Sequence, residues 1–354
     1  GCGAPVIVAA QWVVLRRAEQ PAYRRELAMA NSQLLEDVHS VADRSLAAAA
    51  ASQSAAAAYP EKAIEFIIPF GAGGGADIEG RLLAKEMSKV LGVPFVAINK
   101  PGAGGAVTYT YVKNSKPDGY TVAWNSTSIL TSTNIGNVSF THNALDHVGR
   151  VEFQPMPFVV RADSKWKTFQ NFVADCKKNP GKYKVANSST GSATHLAAIA
   201  MTNAAGCKVI HLPLGIKRRN SGVLSGEADA MAAPLTGAIR LARAGKLRIL
   251  AVPSIKRNTV IPDIPTMSEL GYSAVIDLFR GLSVPKGTPA AVKAKLADAM
   301  TKAARSVAFT KLAKKKGFTI APQNSAAFEA YLVKMNRGVI AIMKSAGIYQ
   351  SKRK

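Results

Sequence analysis

From Tyr59 onward, short apolar runs alternate with stretches of helical periodicity. Residues 64–68 make a near-continuous apolar run of strand length, and 77–91 carries Ile78, Leu82, Leu83, Met87, Val90 and Leu91 at helical spacing. Asp77 is placed to cap that helix at its N-terminus. A strand at 95–99, a short helix at 106–114, a Pro117-Asp118-Gly119 turn and a strand at 121–124 complete a first block. A second block opens near Phe158. Its strands at 158–161, 184–187, 208–212, 228–232 and 247–252 are separated by helices at 168–178, 193–205, 221–226 and 236–244. A strand at 275–278 and a turn at 285–289 lead into C-terminal helices that begin near Pro289, where proline suits a first helical turn. Alternation at this spacing predicts an α/β fold of mostly parallel sheets with covering helices.

The strand ends carry the candidate chemistry. The first is followed by Phe70-Gly71-Ala72-Gly73-Gly74 and the helix-opening Asp77, the second by Gly102-Ala103-Gly104-Gly105, and the third by Ser126-Thr127. Loops without side chains admit a ligand to the backbone, and amides that precede a helix point at that space. In open α/β sheets such a crevice of adjacent strand ends is where ligands bind, so the chain reads as a receptor for a small anion. The cluster Ser188-Ser189-Thr190-Gly191-Ser192-Ala193-Thr194-His195 lies between a strand and a helix, and its hydroxyls and amides can converge on the same anion or simply cap the helix. Arg280, at a strand end, can pair with a ligand carboxylate or form a salt bridge.

Enzyme readings find less support. Residues 71–76 satisfy the dinucleotide fingerprint G-x-G-x-x-A, the mark of an NADP-type oxidoreductase, but Asn99-Lys100 stands where an acid would hold the ribose. No Gly-Lys-Ser/Thr completes a P-loop, and no G-x-S-x-G elbow accompanies Ser192 and His195, so His195 reads as a structural hydrogen-bonding ring. No catalytic residue, metal or cofactor is expected. Cys2, Cys176 and Cys207 lack metal-ligand spacing, and Cys176 and Cys207 are either a disulfide or two thiols.

With 354 residues the chain is long enough for two lobes, and no apolar run approaches the length of a membrane span. Its 46 Lys+Arg against 22 Asp+Glu give a net charge of +24, a field that attracts anions. The basic clusters at 217–219, 314–316 and 352–354 are not interleaved with aromatics, so they read as solvated surface rather than a nucleic-acid site. Residues 1–58 stand apart. They end in Ala56-Ala57-Ala58 before Tyr59-Pro60, like an A-x-A cleavage site, and Gly1-Cys2 is like the end of a lipoprotein signal; an export signal or a disordered or helical extension both fit.

Several segments together resemble the substrate-binding receptors of tripartite tricarboxylate transporters, the Bug receptors. They are Tyr59-Pro60-Glu61-Lys62, residues 69–74 with Asp77 and Arg81, residues 99–105, Pro117-Asp118-Gly119-Tyr120-Thr121, and Gly191-Ser192 with His195-Leu196. Ala244-Gly245-Lys246-Leu247-Arg248, Pro262-Asp263-Ile264-Pro265-Thr266, Arg280-Gly281 and Pro285-Lys286-Gly287-Thr288-Pro289 continue the likeness in order, to about Ile348. The resemblance implies a periplasmic, two-lobed binding protein of the type 2, Venus flytrap kind. Such a protein works as a monomer that holds a small carboxylate between its lobes and delivers it to membrane permease subunits, with signalling rather than transport as the alternative. It places Phe70, Gly71, Ala72, Gly73, Gly74, Asp77, Gly102, Ala103, Gly104, Gly105, Ser126, Thr127, Ser189, Gly191, Ser192, Thr194 and Arg280 at or near the ligand. One lobe is expected from 59–158 with 283–354 and the other from 159–282, hinged near Phe158 and Leu278. Leu212-Pro213-Leu214-Gly215-Ile216 replaces the family's Val-Pro-Tyr-Lys-Gly-like segment, which changes one wall of the cleft.

Overall fold

The computed structural model of the protein describes residues 21–352, so the Gly1-Cys2 reading lies outside the described residues. Residues up to Tyr59 and from Pro60 onward form separate compact units. In the first, helix α1 (Pro21–Ala58) is a single run.

The second unit opens with β1 (Ile64–Ile68), whose Ile64, Phe66, Ile67 and Ile68 are fully buried, as a strand covered on both faces requires. Helix α2 (Gly75–Leu91), β2 (Phe95–Asn99), α3 (Ala106–Lys113), β3 (Thr121–Ser126), α4 (Ser128–Ile135) and the long β4 (Leu145–Pro155) follow. The chain then crosses through Met156-Pro157 to β5 (Phe158–Arg161), α5 (Phe169–Lys178), β6 (Lys184–Asn187), α6 (Ala193–Ala204) and β7 (Ile210–Pro213). Helix α7 (Gly215–Ser225), β8 (Ala230–Ala232), α8 (Leu235–Arg243) and β9 (Leu247–Ala251) complete the second layer system. The return is β10 (Asp277–Pro285), followed by α9 (Ala290–Ala304), α10 (Val307–Lys316), β11 (Thr319–Gln323) and α11 (Ser325–Ser345).

Two sheets result, with strand orders β11-β4-β10-β3-β1-β2 and β7-β6-β8-β5-β9. The β-α-β segments pair parallel, β1 with β2 and β3, and β6 with β7 and β8. The strands that carry the chain between sheets pair antiparallel, because β4 and β10 run past each other over their length and β5 lies between β8 and β9. Both sheets are therefore mixed. All of β10, including residues 277–282, pairs within the first sheet.

Local chemistry explains the elements. Helix α5 is closed by a capping box in which Thr168 accepts from the Asn171 N–H and Asn171 accepts from Thr168. Its apolar face feeds an aromatic cluster of Phe158, Trp166, Phe169, Phe172 and Tyr183, with Phe158 and Phe172 centroids 4.7 Å apart. Helix α11 buries Phe328, Leu332, Val339 and Met343 at helical spacing against the first sheet. Helix α2 begins two residues before Asp77, so that side chain is not its N-cap. From the first turn it accepts from the Gly73 N–H at 2.9 Å and ties Arg81 and Asn99 to the loop. Its buried face centres on Ala76, Gly80, Leu83, Ala84 and Met87, while Ile78 and Val90 are exposed. Cys176 and Cys207 are buried free thiols, and burial together with the neighbouring Cys176 pushes the Cys207 thiol up to about 12.

The return strand is pinned at its start, where Thr127 Oγ1 donates to the Asp277 carbonyl and accepts from the Phe279 N–H. The Asp277 carboxyl has a buried oxygen without a hydrogen-bond partner, and burial pushes its pKa up to about 6, partly opposed by Arg150. A raised folded-state pKa gives stability that is present below the unfolded value of 3.8 and is lost as pH rises through about 6. Asp277→Asn is thus expected to flatten that decline and to raise stability at pH 7 by about 2 kcal/mol. Urea unfolding at pH 4 and pH 7 checks it; an unchanged slope would mean Asp277 titrates alike in both states.

Candidate functional site

Between the two sheets lies a cavity of about 570 Å³. One wall is the first sheet's glycine-rich edge, made of residues 69–72 and 74–76 after β1, residues 101–105 after β2, and Ser126 and Ser128 at the end of β3. The other is the second sheet's edge: Ser188, Ser189, Ser192, Ala193 and Thr194 after β6, residues 214–219 after β7, and Pro234, Thr236 and Gly237 after β8. Leu278 and Arg280 of β10 close the back. Helices α2, α3, α6 and α8 all start at this cavity, so their N-terminal dipoles favour negative charge there.

The glycines are there for space. Gly105 has φ +105°, and a Cβ on it would stand 2.8 Å from Tyr109 Cε2 and 3.0 Å from Ser128 Oγ. That packing seats the Tyr109 hydroxyl on Ser128, which in turn bonds Ser126 at 2.8 Å, a chain of hydroxyls along the floor. Gly105→Ala combines a left-handed backbone with overpacking and is expected to cost about 2–3 kcal/mol in denaturant unfolding. A neutral result would mean the loop relaxes freely around Tyr109.

Across the cavity the hydroxyls form a closed set. Ser192 caps α6 and bonds Thr194 Oγ1 at 3.0 Å, Thr194 bonds Ser188 at 3.1 Å, and Arg219 Nη1 donates to Ser188 Oγ at 2.6 Å. His195 accepts from the Gly191 N–H through Nδ1 and packs edge-on against His211 at 4.8 Å. Burial and His211 lower it to about 4, so it is a neutral structural ring and makes no pair with Ser192 through its imidazole nitrogens.

The two arginines of the cavity differ in kind. Arg280 is buried and its Nε lies 3.1 Å from Glu79 Oε2, with the guanidinium 5.7 Å from the Phe70 ring centre. Glu79 also accepts from Gln154, whose amide oxygen accepts from Thr236 at 2.9 Å. Beside this pair, neither oxygen of the fully buried Glu152 has a hydrogen-bond partner, and burial and the Glu79 carboxylate push its pKa well above the usual range. Arg219 is 5% exposed, makes no ion pair among the described residues, and leaves its Nε without a partner. Burial lowers it to about 10, so it remains charged at neutral pH. The expectation that the 217–219 cluster is solvated surface fails at Arg219: Arg218 pairs with Glu227 outside, while the next residue turns inward.

Of the residues singled out by sequence, Phe70, Gly71, Ala72, Gly74, Gly102, Ala103, Gly104, Gly105, Ser126, Ser189, Ser192, Thr194 and Arg280 line the cavity. Gly73, Asp77, Thr127 and Gly191 do not. Gly73 faces a neighbouring chamber, Asp77 and Thr127 are buried in hydrogen bonds behind the wall, and Gly191 packs on Ile135. Ser188 of the polar cluster and Leu214 and Ile216 of the altered wall segment line it as well, whereas nothing in the local pattern marks Ser128, Arg219 and Thr236, apart from the basic triplet at 217–219 for Arg219.

Residues 80–347 match the model of the tripartite tricarboxylate transporter family receptor, well over half of the chain. The chain belongs to that receptor family. A UPF0065 protein of Cupriavidus necator, encoded in the gbd 5′ region, is 33% identical over 258 residues, covering 72% of this chain and 79% of its own. The solved periplasmic binding protein BugD aligns with a TM-score of 0.75 at 29% identity, covering 82% of this chain and 99% of BugD. MatC of Rhodopseudomonas palustris, solved with bound malate, shares the fold with a TM-score of 0.73 at 23% identity, covering 80% and 99% of the two chains. The two-lobed α/β fold is that of periplasmic binding proteins, and as a member of this receptor family the chain is a solute-binding receptor, not an enzyme.

Proposed function

We propose that the chain captures a small carboxylate, with di- and tricarboxylates favoured, in the cavity between its sheets and delivers it to the permease of a tripartite tricarboxylate transporter. The observation that carries this reading is Arg219, a buried cation held by a serine and in no ion pair among the described residues, facing a cavity walled by glycines, hydroxyls and helix N-termini. A buried charge without a partner is costly, so the site is complete only with an anion in it. The bound malate of MatC supports a dicarboxylate, and the net charge of +24 favours each added carboxylate during encounter. The protein works in the periplasm as a monomer. Ligand draws the two lobes together through the crossings at 155–158 and 252–277, and the permease recognises the closed form. The residues that hold the ligand are those of both walls, Arg219 with Ser188, Ser192 and Thr194 on one side and 70–72, Gly74, 102–105 and Ser126 on the other.

A thermal-shift screen of the full chain against mono-, di- and tricarboxylates, with NAD(P) as a control, tests the reading. A ligand at a hundredfold its Kd adds about 2.7 kcal/mol, a rise of a few degrees. A shift with a carboxylate class is the expected result. A shift with NAD(P) alone, or with nothing, overturns it.

A further inference from the structure

On the other side of the glycine loop at 72–75 lies a second chamber of about 390 Å³. Gly75, Thr236 and Arg219 border both spaces, so the two are neighbours across one shared wall. The second chamber adds Arg240 from α8 and Lys316 from the end of α10, and Lys217 stands at the wall of both. Its acid is Glu79, which is already engaged by Arg280 and Gln154. Among the described residues Lys217, Arg219, Arg240 and Lys316 make no ion pair. Helix-end placement accounts for a lysine in the last turn of α10, since cations there complement the dipole. It does not account for cations from α7, α8 and α10 converging on one chamber. Arg240 and Lys316 reach it from helices that follow strands of different sheets, so an anion in the chamber meets positive charge from both sides.

We propose that this chamber is a second anion subsite, which takes the distal acidic group of an elongated dianion whose first carboxylate lies in the main cavity. The inference rests on the carboxylate-receptor reading and names its substrate class. Phe70, Leu214, Ile216 and Leu278 give the main cavity an apolar lining, which suits a hydrocarbon spacer between the two charged ends. The ligand is then an α,ω-dicarboxylate rather than a compact hydroxy acid. Gly75 stands in the wall shared by the two spaces and packs closely on Thr236: a Cβ there would lie 2.7 Å from Thr236 Oγ1, so any side chain would crowd that boundary.

Calorimetric titration of the full chain with the linear dicarboxylates from succinate to suberate, each beside the monocarboxylate of equal length, tests this. In the wild type, affinity is expected to rise with chain length for the dicarboxylates alone. The double variant Arg240→Ala/Lys316→Ala should weaken the long dicarboxylates by about tenfold at low ionic strength, less in added salt, and move monocarboxylates by less than about twofold. Lys316→Glu should deepen the loss for dicarboxylates, and because Arg240 is exposed and Lys316 half-buried, unfolding curves should be unchanged. Parallel losses for both ligand series, or none for either, overturn the subsite and leave the receptor reading standing. Absence of binding by every carboxylate in the wild type overturns both.

Discussion

Arg219→Met is expected to weaken carboxylate binding by about 10²–10³-fold while making the empty protein more stable. The two effects have one cause. Arg219 holds a positive charge at 5% exposure with one neutral hydrogen bond to Ser188 and an unpartnered Nε. Without ligand this is an uncompensated desolvation cost, and methionine fills similar volume without it. With a carboxylate bound, the same guanidinium supplies a charge-assisted, forked contact in a low-dielectric space, which methionine cannot replace. Arg219→Lys should fall between, because an ammonium keeps the charge but cannot donate to Ser188 and a carboxylate with fixed geometry. Titration calorimetry and thermal unfolding of the same preparations decide. A variant that binds normally but unfolds earlier would make Arg219 a structural strut for the serine cluster.

Arg219 also lies beyond what the local pattern of the sequence encodes. The glycine loops and the β-α alternation were legible because backbone geometry wrote them directly: Gly102, Gly104 and Gly105 have φ from +68° to +146°, and β1 is buried on both faces. Strand β4 is hidden in the sequence because Asp146, His147, Arg150, Glu152 and Gln154 break any apolar pattern, although all of them but Glu152 find partners, on α9, β10, β11 and α2. Helix α4 reads as a polar loop, Ser-Ile-Leu-Thr-Ser-Thr-Asn-Ile, yet all eight residues are buried. Its polar side chains bond backbone, as when Ser132 donates to the Gly104 carbonyl and Asn134 to that of Leu130. Apart from Glu152 and Thr133, whose side-chain oxygens are buried without partners, these polar groups are inside because tertiary structure satisfies them, and local periodicity carries no record of that. Arg219 was passed over for the same reason in reverse: a basic triplet on a helix looks solvated until the fold turns one member inward.

Glu79→Ala is expected to destabilise the protein by about 3–5 kcal/mol, the cost of leaving a buried charge without its partner. Arg280 is 3% exposed, and its Nε has Glu79 as its acidic contact. The loss should depend on pH, because Glu152 is the cross-strand neighbour of Arg280 and sits beside the pair without hydrogen bonds. In the wild type its raised pKa means that stability is fully present below the unfolded value of 4.5 and declines as pH rises through the folded one. Removing Glu79 takes away the repelling carboxylate and frees Arg280 to pair with Glu152, so Glu152 ionises more readily. The deficit of Glu79→Ala should therefore be largest in acid, where Glu152 is protonated, and shrink as pH rises. Glu79→Ala/Glu152→Gln should lose that recovery, and Glu79→Ala/Arg280→Met should regain most of the stability at every pH. Denaturant unfolding across the pH range measures all three. A deficit that is flat with pH would mean Glu152 cannot reach Arg280 and that the Glu79–Arg280 pair stands alone beneath the cavity.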